Sequence, residues 1–426
     1  MVEIDDEAMA RTVLKFGGTS VADLERIDHV ADLVAARAAT GDGIAVIVSA
    51  MAGETNKLVA YARGAAGDAL TQESFDDEYD VVVSSGEQVT SGLLALALRR
   101  RGLKARSWLG WQLAMRTSDT HSSARILGFD GSDLPSSVDR GEIAVIAGFQ
   151  GVTDSGRIAT LGRGGSDTSA VAVAAALEAK SCDIYTDVDG VYTTDPRIVS
   201  KAQRIPKISY EEMLEMASLG AKVLQTRSVE LAMNHNVPIR VLSSFDAPVQ
   251  GDPINGTLVC DEEQIVEKQV VSGVAYSRDE AKVTLLGVQD RPGVASRIFS
   301  LLAGAGVNVD MIVQANARGA GIANMVFTCT SAHSTLARAA LEAEREELGF
   351  EAIAVDTDVA KVSIIGVGMK SHTGVAETMF KALYEKGINI DVIATSEIKI
   401  SILISEPYTE LAVRALHTAF GLDAVS

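Results

Sequence analysis

The chain has 426 residues, 47% hydrophobic and 22% charged, enough apolar material for two or three domains with full cores. Its 57 acidic residues outnumber its 38 basic ones, and the formal net charge of −19 argues against broad contact with nucleic acid or an anionic membrane. Cys182, Cys260 and Cys329 show no CxxC spacing, so neither a disulfide framework nor a zinc site is expected.

MVEIDDEAMA at the N-terminus is acidic and lacks the apolar centre of a signal peptide, and no run of roughly 18 apolar residues marks a membrane span. The expectation is a cytoplasmic protein with a short polar tail over residues 1–10. Thr12–Phe16 is the first strand, ending at Lys15, and GGTSVAD leads into a helix from Leu24 to Ala39. Ile44–Val48 is a fully apolar strand; strand, glycine turn, helix, strand is the unit of a parallel sheet. Asn56–Gly64 reads as a helix. Asp80–Val83 reads as a strand leading into SSGEQ and a leucine-rich helix that runs to Arg101. Glu142–Ala147 is another buried strand, followed by GFQG. Ile158–Ala176 then passes from β-branched residues through the glycine turn LGRGGSD into an alanine-rich helix. Asp183–Thr186 is a strand ending in DVDGVYTTDPR, residues 210–235 are helical with a break near Gly220, and Ile239–Leu242 and Thr257–Cys260 complete the sheet. Apolar strands buried on both faces call for helices on both sides of a mainly parallel sheet, with ligands at the carboxyl ends of the strands. GGTS, SAMAGET, SGEQ, GFQG, GRGGSD and DVDG all fall at those ends.

Turn formers and charge over 243–268 place a domain boundary near residue 263. Beyond it lies an internal repeat. Val283–Val313 lies over Val362–Ala394, and Gly293, Val294, Ala295, Phe299, Gly306, Asn308, Asp310 and Ile312 match Gly374, Val375, Ala376, Phe380, Gly387, Asn389, Asp391 and Ile393. Each copy reads strand, helix, strand, followed by a further strand and a last helix, which is read as a βαββαβ, ferredoxin-like order. Two copies can share one extended sheet, with their Gly-Val turns placed to hold a small zwitterion at helix N-termini.

Several residues carry candidate chemistry. The turn Gly162–Gly165 can bring helix N–H groups to an anion, and Arg163 can grip a carboxylate or phosphate; the plain alternative is a tight turn with a surface arginine. Lys15 before two glycines suits a phosphate loop, although GxxxxGK[ST] and the protein-kinase signatures are absent, and a solvated strand-end lysine fits equally well. Glu87 opens a helix and can accept an ammonium group, or serve as an ordinary helix-start acid. Ser49 and Thr55 can bond a phosphate or substrate, or merely cap a turn. Asp167 can orient Lys15, hold Mg2+ through water, or cap its helix. Asp187 and Asp189 resemble half a calcium loop without the rest of its ligand series, and the six His residues have no zinc spacing, so no resident metal site is expected.

KFGGTS at 15–20, VSAMAGET at 48–55, SSGEQVTSG at 84–92, GFQG at 148–151, TLGRGGSDTSA at 160–170 and YTDVDGVYTTDPR at 185–197 together resemble the aspartate kinase family, as does EEMLEMASLGAKVLQTRSVE at 211–230. The repeat resembles that family's paired ACT domains, so the resemblance spans nearly the whole chain after residue 10. It implies an amino-acid-kinase fold over residues 11–263, with ACT domains at 270–345 and 346–426. The implied reaction is transfer of phosphoryl from ATP, with Mg2+, to the side-chain carboxylate of L-aspartate, the first step of lysine, threonine and methionine biosynthesis. By resemblance Lys15 and Asp167 are catalytic. Lys15, Phe16, Gly17, Gly18 and Ser49 face ATP phosphates, and Thr186, Asp187, Tyr192, Asp195, Arg197 and Lys222 border the nucleotide. Thr55, Glu87, Arg163, Gly164, Gly165 and Ser166 hold aspartate. The ACT pair is expected to bind lysine and/or threonine at Asp290, Gly293, Ala295, Asp310 and Gln314 in the first copy, and at Asn389, Ile390, Ser396 and Glu397 in the second. The implied assembly is a homo-oligomer, a dimer or larger joined through ACT domains, and an ACT-only subunit is a further partner that the resemblance implies. One departure stands out: after the first VNVD strand the chain reads QANARGAGIANM, with Ala315 and Asn324 where the family carries Asn and Asp. The alternatives are a relative acting on another acid or a carbamate, and a catalytically inactive amino-acid sensor of the same fold.

Overall fold

The computed structural model of the protein describes residues 9–67, 75–220, 223–248, 255–265, 270–316, 321–367, 369 and 372–423, in two compact units. The first takes the chain to Val191, then Arg204–Ala217 and Lys222–Val266; the second takes Tyr192–Gln203, Ser218–Ala221 and Glu267 onward. The polar tail expected over residues 1–10 lies mostly outside the described residues.

Continuous apolar runs build the centre of the first unit. Gly43–Val48 and Ile143–Ala147 are buried at every position, so both sheet faces are covered. The eight-stranded sheet runs Lys207–Ser209, Thr257–Cys260, Ile239–Ser243, Ser181–Thr186, Arg11–Phe16, Gly43–Val48, Ile143–Ala147, Ala105–Trp108. Its pairs are parallel except Ile239–Ser243 with Thr257–Cys260. Parallel register brings the ends of neighbouring strands level: Ser49 N donates to Phe16 O (3.1 Å) and Gly148 N to Val48 O (3.1 Å). A small second sheet joins Ile126–Phe129, Met115–Thr117, Gln150–Val152 and Ile158–Thr160. The helix Gly165–Ala176 is buried on all sides over its first ten residues, which only small and β-branched side chains permit.

One expected element is wrong. Asp80–Val83 is no strand but the end of the helix Asp76–Val83. Its buried residues, Asp80 and Val83, are spaced i, i+3, so helical periodicity prevails over the β-branched run DVVV. Within Asp76–Arg100 one 18-residue window has a mean hydropathy of 1.4 and is long and apolar enough to cross a membrane by length and composition only; half of that window is buried inside the unit. Asp76–Arg100 also carries the buried carboxylates of Asp80 and Glu87.

The second unit holds a six-stranded antiparallel sheet in the order Asp310–Asn316, Ile322–Cys329, Gly273–Gln289, Ala352–Ile365, Lys399–Ser405, Val392–Thr395. Its two long central strands serve both repeats. Residues 273–277 pair with 361–365 beside the second repeat's strands, and 282–286 pair with 352–356 beside the first's. Each repeat keeps its own core, under Val294–Gly304 and Ser334–Glu342 in one case and under Val375–Glu385 and Thr409–Ala419 in the other. Gly293 and Gly374 start matching helices with φ of 95° and 96°, a conformation that favours glycine.

Matching residues of the repeats also bond across it. Lys361 Nζ reaches Asp310 Oδ2 (2.9 Å), and its counterpart Lys282 reaches Asp391 Oδ2 (2.5 Å), so the first-strand lysine of each copy holds the INID-type aspartate of the other. Lys361 is nearly buried and meets Glu280 as well (2.7 Å). The segment Tyr192–Gln203 belongs to this unit: Val199 lies in the second repeat's core, Thr193 O accepts from Val274 N, and Thr193 Oγ1 lies 2.8 Å from Nε2 of the buried His417.

Candidate active site

At the carboxyl ends of the first unit's central strands lies a cavity of about 420 Å³. It is lined by Lys15 and Gly18 from the first strand end, Ser49–Gly53 and Thr55 from the second, Glu87, Phe149, Gly162–Asp167 and Gln225. Six sequence segments therefore meet here, as expected for a parallel sheet whose strand-to-helix turns share one edge.

Lys15 is the next-to-last residue of its strand, and its ammonium lies 2.5 Å from Asp167 Oδ1, with both side chains 11% exposed. The carboxylate stands in the first turn of Gly165–Ala176, where the helix dipole favours negative charge. The pair fixes a cation at the mouth of a helix N-terminus. Gly162 and Gly164 adopt φ of 77° and 72°; a Cβ on Gly164 would meet Gln225 Cγ at 2.1 Å, so no larger residue fits that turn as built. Glu87 is 4% exposed. Its Oε1 accepts from Ala50 N (3.0 Å), while Oε2 has no hydrogen-bond partner among the described residues. Burial pushes its carboxyl up to about 7. A buried oxygen without a donor is uncommon in a folded chain, and this one lies on the cavity wall.

The expected residues divide clearly. Lys15, Gly18, Ser49, Thr55, Glu87, Arg163, Gly164, Gly165, Ser166 and Asp167 all line the cavity. Gly17 sits beside Lys15, and Phe16 is wholly buried, its ring stacked on Tyr185 at 4.7 Å. Thr186 and Asp187 bond each other (3.2 Å) in the first unit away from this lining. Tyr192, Asp195 and Arg197 belong to the second unit, where Arg197 pairs with Asp195 (2.8 Å) and Tyr276 donates to the same carboxylate (3.3 Å). Lys222 lies outside the described residues. Gln225 and Phe149 were not singled out from the sequence. Phe149 has a left-handed φ of 69° inside GFQG, and Gln225 reaches the cavity from the helix start Thr226–His235. Only its place within the resembling segment 211–230 hinted at it.

In the second unit a separate cavity of about 360 Å³ is lined by Val288–Ala295, Gln314, Ala323 and Met325, and Gln314 Nε2 donates to Asp290 Oδ1 (3.3 Å). It brings together Asp290, Gly293, Ala295 and Gln314 but not Asp310, which is held by Lys361. Asn324 uses its Oδ1 to accept from Gly287 N (3.1 Å), and Ala315 pairs with it across the strands. In the second copy Asn389 and Glu397 are exposed and Ile390 packs on the core. Ser396 Oγ accepts from Lys399 N (3.2 Å).

Residues 10–243 match the Amino acid kinase family, and residues 282–346 and 362–420 each match an ACT domain. The chain is 53% identical over 418 residues to the aspartate kinase of Pseudomonas fluorescens, covering 98% of both chains. The chain belongs to the aspartate kinase family. It is also 45% identical to an aspartokinase of Mycolicibacterium smegmatis over 97% of each chain. Among solved structures it resembles E. coli aspartokinase III in complex with aspartate and ADP, with a TM-score of 0.75, 30% identity, and coverage of 96% and 99% of the two chains. The kinase is an enzyme that phosphorylates aspartate with a nucleotide and carries paired ACT domains suited to allosteric control. Nothing found supports an inactive sensor.

Proposed function

We propose that the 420 Å³ cavity is where ATP and L-aspartate react, and that its residues act as follows. The observation that carries this reading is the partnerless, buried Oε2 of Glu87 on the same wall system as Arg163 and the Lys15–Asp167 pair. Glu87 takes the substrate ammonium, and Arg163, with the N–H groups of Gly164–Ser166 and the Thr55 hydroxyl, takes the α-carboxylate. The side-chain carboxylate is then left to face the γ-phosphoryl group. It is already ionised, so no general base is required; alignment and charge neutralisation are the task. An oxygen of that carboxylate bonds to the γ-phosphorus as the bond to the β–γ bridging oxygen breaks, giving 4-phospho-L-aspartate and ADP. Lys15, held by Asp167, offsets the charge on the transferred group, with Gly17, Gly18 and Ser49 along the phosphates. Thr186 and Asp187 serve the nucleotide side. Among the described residues no three His, Cys, Asp or Glu side chains cluster to hold a metal, and the cavity offers only Glu87 and Asp167 as carboxylates. This donor set fits Mg2+ carried by the nucleotide's phosphates, where it would supply charge neutralisation.

The 360 Å³ cavity serves as an effector site for lysine and/or threonine, with Asp290, Gly293, Ala295 and Gln314 as its ligands, in line with the E. coli aspartokinase III structure in complex with lysine and aspartate. This reading makes the protein a cytoplasmic, feedback-controlled enzyme at the head of lysine, threonine and methionine synthesis, assembled as a homo-oligomer through its ACT domains. The test is acyl-phosphate formation from ATP and aspartate, trapped with hydroxylamine. Arg163→Ala should lower kcat/KM for aspartate about 100-fold or more at unchanged thermal midpoint, and lysine plus threonine should suppress the wild-type signal. Near wild-type kinetics in Arg163→Ala would refute the clamp.

A further inference from the structure

The carboxylate of Asp80 is fully buried and touches none of the cavity. It accepts hydrogen bonds from four donors on two segments beneath the substrate turn. Thr160 donates through its backbone N (2.9 Å) and its hydroxyl (2.6 Å), Ser122 through its backbone N (3.0 Å), and His121 through Nδ1 (2.9 Å). Thr160 ends its strand and immediately precedes Leu161 and the Gly162–Gly165 turn. Leu161 is held just as tightly: its N donates to Phe149 O (2.9 Å), and its carbonyl accepts from Arg227 Nη1 (2.8 Å). Arg227 Nη2 donates to Ala124 O (2.8 Å), and Ala124 N donates to Thr160 O (2.9 Å), closing the frame. All backbone polar groups of Thr160 and Leu161 are thus fixed, two residues before Arg163.

An ionised carboxylate accepts about four hydrogen bonds, where an amide oxygen accepts about two and presents donors besides. Burying such a group is costly unless it is fully bonded, so a carboxylate spent wholly on a turn buys rigidity more than stability. A substrate clamp has use for that rigidity, because its geometry must hold to within about 0.5 Å. We propose that Asp80, through Thr160, and Arg227, through Leu161, are positioning residues that set the Gly162–Gly165 turn so that Arg163 meets the substrate carboxylate. The proposal rests on reading Arg163 as the aspartate clamp.

The test is steady-state kinetics of the full-length enzyme with both substrates varied. Asp80→Asn should raise KM for aspartate about ten-fold while KM for ATP moves less than about two-fold. On an Arg163→Ala background the same substitution should change kcat/KM for aspartate by less than about two-fold, since both act through one side chain. Thr160→Val, which replaces the hydroxyl by a methyl group and keeps the backbone N–H bond, should raise the aspartate KM about three-fold, and Thr160→Ser should restore it. Equal changes in both KM values, or full additivity with Arg163→Ala, would overturn the proposal. If Asp80→Asn is not recovered folded, the Thr160 pair decides, and a Thr160→Val enzyme without a selective aspartate defect overturns it. An Arg163→Ala enzyme with wild-type aspartate kinetics sinks the clamp and this proposal together. A defective Arg163→Ala beside an unselective Asp80→Asn sinks only the proposal.

Discussion

Replacing Glu87 by Gln should stabilise the folded kinase while removing its affinity for substrate. Glu87 is 4% exposed, one carboxyl oxygen is satisfied by Ala50 N, and the other has no partner among the described residues. Burial raises it from an ordinary value of 4.5 to about 7, and at about 1.4 kcal/mol per tenfold in proton affinity the ionised form costs the empty protein about 3 kcal/mol. The sign follows from which state binds the proton more tightly. Below pH 4.5 folded and unfolded chains both hold it, and the residue contributes nothing. Between 4.5 and about 7 the unfolded chain releases it while the folded one keeps it, so stability falls as pH rises; above about 7 the whole cost is present. Glutamine imitates the protonated acid. Glu87→Gln should therefore match wild type near pH 4.5 and gain up to about 3 kcal/mol at pH 8, a rise of about 6–12 °C in the midpoint of the first unit. The same change strips the ammonium of its counter-charge, lowering kcat/KM for aspartate by roughly 100-fold. Calorimetry at both pH values and the hydroxamate assay read the two effects. A variant less stable than wild type at pH 8, or one that retains aspartate turnover, would refute the reasoning. With Glu87 in its proposed role as partner of the substrate ammonium, the KM of the wild-type enzyme for aspartate should climb about ten-fold per pH unit below about 7.

Gly164→Ala forces a Cβ against Gln225 at φ 72° and should cost about 1–2 kcal/mol with loss of most aspartate turnover, measured by chemical denaturation and kinetics. A variant of wild-type stability would show that Gln225 yields freely. Lys361→Ala strands the buried Glu280 and should destabilise the second unit by about 3–5 kcal/mol in urea. Its repeat counterpart Lys282→Ala, at a more open site, should cost less than about 1 kcal/mol; equal costs would contradict the assigned burial. Gln314→Ala should raise the half-inhibiting concentration of lysine or threonine about ten-fold and leave uninhibited kcat unchanged, read from inhibition curves.

The cavity was legible because its chemistry is written in short segments. KFGG, SAMAGET, SGEQ and GRGGSD each state a local backbone requirement, a glycine turn or a helix start, and parallel topology alone places such turns along one sheet edge. The repeat was legible for the same reason, since Gly293 and Gly374 need the same left-handed helix start. Asp80–Val83 failed because four residues carry too little periodicity to tell a strand from a helix whose buried positions are three apart.

By itself, then, the sequence determined which segments turn, which begin helices, and which side chains those turns would offer to a ligand. Tertiary structure alone decided how distant side chains are spent. Asp310, expected from the sequence as an effector ligand, is drawn to Lys361, 51 residues on, and does not line the second unit's cavity. Residues 192–203 follow directly on the strand Ser181–Thr186 and its turn, yet pack with the second repeat, where Val199 finds an apolar core and Thr193 a buried histidine. Asp80 and Arg227 reach Thr160 and Leu161, just before the Gly162–Gly165 turn, from 80 and 66 residues away in the chain. Pairings at that range leave no periodic trace, because buried charge is satisfied by whichever donor the packed chain brings near, not by its neighbours in sequence.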